Sequence, residues 1–270
     1  MAFIDLAPFF YGLYLSFNRW IFTAPQPPTY NGFDNYKFLV NDSEFLSSFT
    51  RGVLFAFTGV VIQLLIGLGT AFVMYRRFRG AAIFKVILTL PLAIAPVAVG
   101  SMWRLMMYPG IGPIPYYLEH FLGIDWNITA NSDIAFATTI IMDTWHWLPL
   151  VALILLAGIA AVPSDILESA DVDGVSNLQK LRHVFLPLIK YEVALVVLLR
   201  GMDAFRIFDE IWMLTAGGPG GATRYLSVSL YTMILKGWDI GYGAAVSVIF
   251  LYVIIVVCWV LYQAVTRVSE

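Results

Sequence analysis

Few residues in this chain have the chemistry to hold or guide a solute, and most of them fall at helical spacing inside apolar runs. Asp143 and His146 are separated by three positions and Asp143 and Trp147 by four, so on a helix all three share one face. An ionisable group within such a run is costly and turns toward a bundle interior or a water-filled cavity. Aromatic plates beside hydrogen-bond acceptors suit sugars, which offer apolar C–H faces and many hydroxyls. The competing reading is an interfacial belt of Trp145 and Trp147 around a hydrogen-bonded Asp143–His146 pair. A second set of charges follows: Arg200/Asp203 and Arg206/Asp209 at i, i+3, and Arg206/Glu210 at i, i+4. Such a ladder neutralises itself or pairs with a neighbouring subunit. Gln63 is the lone amide of another apolar run and either meets the solute or bridges two helices. Catalytic chemistry finds no support. There is no G-x-x-x-x-G-K-[ST] phosphate loop, His120, His146 and His183 sit at no metal-ligand spacing, and no nucleophile–base arrangement is visible.

The elements that must position these residues are written in the composition. Of 270 residues, 60% are hydrophobic and 13% charged, with a mean hydropathy of +0.79. A soluble domain is about 45–50% apolar and about 25% charged, so an ordinary soluble enzyme is excluded. High hydrophobicity likewise excludes a disordered chain. A net charge of −2 gives a nucleic-acid partner nothing to grip. The single cysteine, Cys258, lies in an apolar run and has no intrachain partner for a disulfide.

What remains is an all-α membrane protein. Crossing a hydrocarbon core takes ~20 apolar residues per helix. Runs at about 53–75, 86–107, 134–162 and 242–263 meet that requirement, and weaker ones at about 2–17 and 191–214 bring the number of spans to six. Arg76, Arg77, Arg79 and Lys85 crowd one short loop without an acid, which by the positive-inside rule is cytoplasmic. Both termini then lie in the cytoplasm, and Asn18–Thr50 and Tyr108–Asp133 face outward. The outer segments are turn-rich: Pro25-Gln26-Pro27-Pro28, the Gly110–Pro115 stretch and Gly217-Gly218-Pro219-Gly220-Gly221. No internal repeat is visible, and the chain is one transmembrane domain.

The cytoplasmic loop 163–190 carries the most specific signal. Ser164 is placed to cap a helix with Asp165 and Glu168 in its first turn, where the helix dipole favours acids. Gly174 is placed to end that helix. Leu178, Leu181 and Phe185 recur on one face of a second short helix, and Pro187 breaks the chain before the next span. Physically this is a helix-turn-helix on the membrane face, which on these grounds alone is equally a loop resting on lipid headgroups.

Glu168-Ser169-Ala170, Gly174 four residues later and Leu186-Pro187 beyond it resemble the EAA loop of inner-membrane permease subunits of binding-protein-dependent ABC importers. Asp173-Gly174 and Val184-Phe185-Leu186-Pro187 are most similar to the maltose-type carbohydrate branch, with Ser169 standing where alanine is usual. Further pieces are similar in order and spacing: Pro8 with Leu15-Ser16-Phe17, Gly32-Phe33-Asp34-Asn35-Tyr36, Leu90-Pro91 with Pro96 and Trp103, Phe205-Arg206-Ile207-Phe208-Asp209, and Leu214-Thr215-Ala216-Gly217-Gly218-Pro219. Arg200 and Asp203 are not expected in that pattern.

The resemblance implies the type I importer permease fold, six spans with a coupling helix-turn-helix between the fourth and fifth, and a longer first span with a charged lead ahead of residue 1. It implies that Glu168, Ser169, Ala170, Asp173, Gly174, Leu186 and Pro187 dock on a cytoplasmic ATPase dimer. This chain would bind no cofactor, ATP and Mg²⁺ belonging to the ATPase. The other partners implied are a second homologous permease subunit, an extracytoplasmic sugar-binding protein and the lipid bilayer of a bacterial or archaeal cytoplasmic (inner) membrane. The implied cargo is a di- or oligosaccharide, a polyol or glycerol phosphate being the nearby option. Its expected pathway residues are Gln63, Asp143, His146, Trp147, Asp203, Arg206 and Asp209. The alternative from another class is an ion-coupled secondary transporter, using Asp143, His146 and the later acids as a proton relay and built from inverted repeats.

Overall fold

The computed structural model describes residues 2–76 and 79–269, with side chains from 6 to 263; Arg77 and the Arg267 side chain lie outside that range. Helix α1 (Ala2–Ser16) ends in a two-residue ribbon, where β1 (Asn18–Arg19) pairs antiparallel with β2 (Thr29–Tyr30). The orphan carbonyls at the end of α1 need donors. Asn35 Nδ2 supplies them, donating to the Ser16 carbonyl at 2.8 Å and the Asn18 carbonyl at 3.0 Å, while Tyr36 Oη donates to Ser16 Oγ at 2.7 Å. These residues open α2 (Asp34–Asn41). Helix α3 (Ser43–Tyr75) follows at once, with Asp42 accepting from the Glu44 amide. It begins ten residues before the expected span, because Glu44 and Arg51 disguise its first turns in a hydropathy reading.

The third expected span, 86–107, is not one helix. It divides into α4 (Ala81–Thr89), a 3-10 turn at Leu90–Ala93 and α5 (Pro96–Met107), and the two helices are bent by 101°. Pro91 and Pro96 explain the break: a proline removes a helical donor, and Pro96 pushes Ala95 out of the helical region, to ψ 140°. The turn-rich outer segment holds a helix that sequence reading leaves as turns, α6 (Pro113–Leu122). Pro113 sits in its first turn and Gly123 closes it at φ +65°, each where a helix favours that residue. Helix α7 (Ser132–Ala160) is continuous, its first amides capped by Asn131.

In the 163–190 loop, α8 (Ser164–Val172) has Pro163 at its N-cap position and no side-chain cap, because Ser164 is already inside the helix and its hydroxyl turns to Asp165. Gly174 ends the turn at φ +70°, as its position suggested. Ser176 and Gln179 form a reciprocal capping box that opens α9 (Asn177–Lys180), a feature sequence reading passed over. The helix continues through a wide turn at Leu181–Phe185 into α10 (Leu186–Leu188). Of the expected apolar face, Phe185 is buried against Phe72 and Tyr75, but Leu178 is 75% exposed.

The fifth expected span, 191–214, is broken too. Helix α11 (Lys190–Phe205) and α12 (Asp209–Thr215) are separated by Arg206-Ile207-Phe208. A helix carrying this density of charge gains by opening: non-helical backbone at membrane depth is tolerated where it lines a cavity and finds partners. The Ile207 carbonyl accepts from Ser227 Oγ. A glycine turn and α13 (Leu226–Tyr231) lead to α14 (Ile240–Ser269).

Helix α7 runs along α3 so closely that a Cβ on Gly67 would fall 2.6 Å from Val151 Cγ1. Helix α11 packs on α3, α14 packs on α11 and α1, and α5 rests on α12, where a Cβ on Gly100 would fall 2.5 Å from the Glu210 carbonyl oxygen. Among the described residues three helices are long and apolar enough to cross a membrane, Ser43–Tyr75, Ser132–Ala160 and Ile240–Gln263, and the bent α4–α5 pair has the length and composition of a fourth only when its two halves are counted together. Large side chains such as Phe57, Leu65, Tyr252 and Trp259 point outward, as a lipid-facing surface requires.

Candidate functional site: a buried charge cluster beside the helix breaks

Four helices, α3, α7, α11 and α12, bring most of the expected pathway residues together. The buried Arg200 of α11 reaches across to α7, its Nη2 donating to both Asp143 oxygens at 3.0 Å, and its Nη1 donating to Asp203 at 2.6 Å. Its Nε donates to Gln63 Oε1 of α3 at 2.9 Å, while Gln63 Nε2 donates to Asp143 Oδ2 at 2.7 Å. Each atom of this ring of three has a partner, which is the condition for holding charge inside a bundle. Gln63 therefore bridges helices. The guanidinium also lies over Trp147, 4.8 Å from the ring centroid.

His146 turns away from Asp143, so the Asp143–His146 pair of the competing reading does not form. Its Nδ1 lies 3.2 Å from Glu210 Oε1 and its Nε2 lies 3.2 Å from the Ile94 carbonyl oxygen. The ladder forms in one rung only. Arg200 and Asp203 pair, but Arg206 does not meet Asp209 or Glu210, because the break after Phe205 removes the helical spacing that pairing assumed. Among the described residues Arg206 and Asp209 have no ion pair, and both are exposed.

Those two residues line a cavity of about 180 Å³ with Asp143, Trp147, Asp203, Phe208 and Glu210. Six of the seven expected pathway residues thus stand at or beside this cavity: Asp143, Trp147, Asp203, Arg206 and Asp209 on its wall and His146 next to it. Gln63 lies behind them. The sequence reading missed the part of Arg200 in holding Asp143, as well as Phe208 and the Ile94 carbonyl. Arg200 and Asp143 are 57 positions apart, and only the self-cancelling appearance of the ladder hinted at an external partner. The cavity presents an indole, a phenyl ring, four carboxylates and the guanidinium of Arg206. That combination can stack against an apolar sugar face and accept or donate hydrogen bonds to hydroxyls.

The second group, in the 163–190 loop, lies apart from the cavity. Ala170 is buried, whereas Glu168, Ser169, Asp173, Gly174 and Pro187 are exposed and Leu186 is half-buried. The Val175 amide donates to the Ala170 carbonyl and Lys180 pairs with Asp171, so the two arms of the turn are tied. Glu168 and Asp173 have no ion-pair partner among the described residues. A Cβ on Gly174 would meet nothing within 4 Å. The result is a tied knuckle with an unpaired acidic face.

Comparison with known proteins places this arrangement. Residues 63–270 match the family described as binding-protein-dependent transport system inner membrane component. The trehalose/maltose transport system permease protein of Thermococcus litoralis is 33% identical over 239 residues, covering 87% of this chain and 79% of that protein. The trehalose transport system permease protein of Mycobacterium tuberculosis is 31% identical over 260 residues, covering 96% and 83%. In fold, the chain is similar to a subunit in the crystal structure of a bacterial ABC transporter involved in import of the polysaccharide alginate. That match has a TM-score of 0.80 at 18% identity and covers 96% of this chain and 89% of the other.

Proposed function

Because the chain belongs to the binding-protein-dependent inner membrane transport family, a family of non-catalytic transport subunits, we propose that it forms half of the translocation pathway of an ATP-driven carbohydrate importer. The cargo class, a di- or oligosaccharide, follows from relatives that carry trehalose and maltose and from the aromatic and carboxylate lining beside Trp147. Its partners are a second homologous permease, a cytoplasmic ATPase dimer that holds ATP and Mg²⁺, and an extracytoplasmic sugar-binding protein. The chain lies in the cytoplasmic (inner) membrane of a bacterial or archaeal cell with both termini inside, and α1, the α4–α5 pair and the α11–α12 pair complete six crossings with the three long helices.

One observation carries the coupling role: the knuckle at 164–180 leaves Glu168 and Asp173 unpaired beside a glycine with open space around it. Glu168, Ser169, Ala170, Asp173 and Gly174 form the docking element, and Leu186 and Pro187 join it to α11. An ATPase that seats this knuckle in a groove moves α7 and α11, and with them Asp143, Arg200 and Asp203. A proton-relay transporter fits less well, because Asp143 is held by Arg200 and Gln63.

Affinity purification of the tagged chain from its native membrane in mild detergent tests this reading. The wild type brings down an ATPase and a second permease, while Asp173→Trp and Gly174→Trp lose the ATPase and keep the permease. Purification of the wild type alone would overturn it.

A further inference from the structure

We propose that His146 is a positioning residue for transport: one imidazole clasps the second halves of both broken helices to α7 and so sets one wall of the cavity. The breaks create the need. Ile94, in extended backbone at ψ 130° just ahead of α5, has a carbonyl that no helical amide reaches; it faces His146 Nε2 at 3.2 Å. Glu210, the second residue of α12, turns its carboxylate inward to His146 Nδ1, also at 3.2 Å. The two side chains are 2% and 6% exposed.

Helices α5 and α12 then act as one body. Gly100 of α5 lies against the Glu210 backbone with no room for a Cβ, so a shift of one half-helix carries the other. Pro96 at the start of α5, and Asp209 and Glu210 at the start of α12, line the cavity opposite Trp147, the residue next to His146. The remaining charges nearby are committed elsewhere or face outward. Arg200 holds Asp143 and Asp203, and Arg206 and Asp209 are exposed. Both ring nitrogens face acceptors, so the two contacts are hydrogen bonds together when the His146–Glu210 pair holds a proton for each of them. Loss of the clasp leaves only apolar packing, such as Trp103 against Trp145, between the α5–α12 body and α7; the cavity wall shifts, which lowers affinity for the sugar before it slows turnover.

The clasp stands on geometry alone, and only its consequence rests on the transport reading. The test uses the complete importer, with its ATPase, second permease and binding protein, in proteoliposomes. His146→Ala and Glu210→Ala each raise the KM for sugar about tenfold, the double variant raises it no further, and His146→Gln, which keeps a donor, recovers part of the loss. Additive losses in the double variant, or a fall in maximal rate at unchanged KM, overturn the proposal. Imidazole ¹⁵N spectra of the purified importer give a second readout that needs no transport: the His146 Nδ1 resonance of the wild type shifts in Glu210→Gln. An unshifted resonance overturns the clasp. Wild-type proteoliposomes that take up no sugar sink the transport reading and leave the spectroscopic result standing.

Discussion

At the scale of single residues, the account turns on how charge is kept inside an apolar bundle. Arg200 is 1% exposed and serves two carboxylates, an amide and an indole face at once. Taking one member from such a set leaves an uncompensated buried charge, which costs about 3–5 kcal/mol, whereas replacing both partners by apolar groups is close to neutral. Arg200→Met therefore lowers the thermal inactivation midpoint of the detergent-solubilised complex, and Gln63→Leu and Asp143→Leu combined with Arg200→Met restore most of it, since all three members of the ring are then apolar. If the triple variant is as unstable as the sum of the three singles, the ring is not the unit described here. The residue types were legible in the sequence: Asp143, His146 and Trp147 do share a face, and Arg200/Asp203 do pair at i, i+3. Their partners were not, because Gln63, Asp143 and Arg200 meet only after three helices have packed.

At the scale of elements, apolar length found the helices and missed their interruptions. The segments α3, α7 and α14 are long runs that nothing breaks, so a hydropathy reading locates them. Pro91 and Pro96 were visible as residues, but whether a proline pair kinks a span or divides it into helices 101° apart depends on what receives the freed carbonyls. Here the His146 ring receives one. The Arg206–Phe208 break looks like continuous helix in the sequence, because its charges fit an i, i+3 pattern. Close packing of α3 on α7 gives a separate prediction. Gly67→Leu must displace the buried Val151 and costs about 1–3 kcal/mol by overpacking. Gly69→Leu on the same helix meets nothing within 4 Å and is tolerated. Thermal unfolding of the two variants side by side separates them, and equal midpoints contradict the packing described.

At the scale of the whole molecule, the two candidate regions sit on the same helices. The knuckle joins the end of α7 to the start of α11, and these helices carry Asp143 and Arg200 to the cavity. On the proposed reading a push on the knuckle passes along α7 and α11 to the residues that hold the cavity, and the α5–α12 body, tied to α7 through His146, moves with them. Membrane class and family were legible from composition and the 163–190 loop. The cavity was not, since its wall is built from the two breaks. The central claim is that this chain couples ATP hydrolysis by a partner to movement of a carbohydrate. Its most direct test is uptake of radiolabelled trehalose and maltose into proteoliposomes holding the co-purified complex and its binding protein, with and without enclosed ATP. The account predicts accumulation that requires ATP and is abolished by Gly174→Trp. Accumulation driven by a proton gradient without ATP would contradict it.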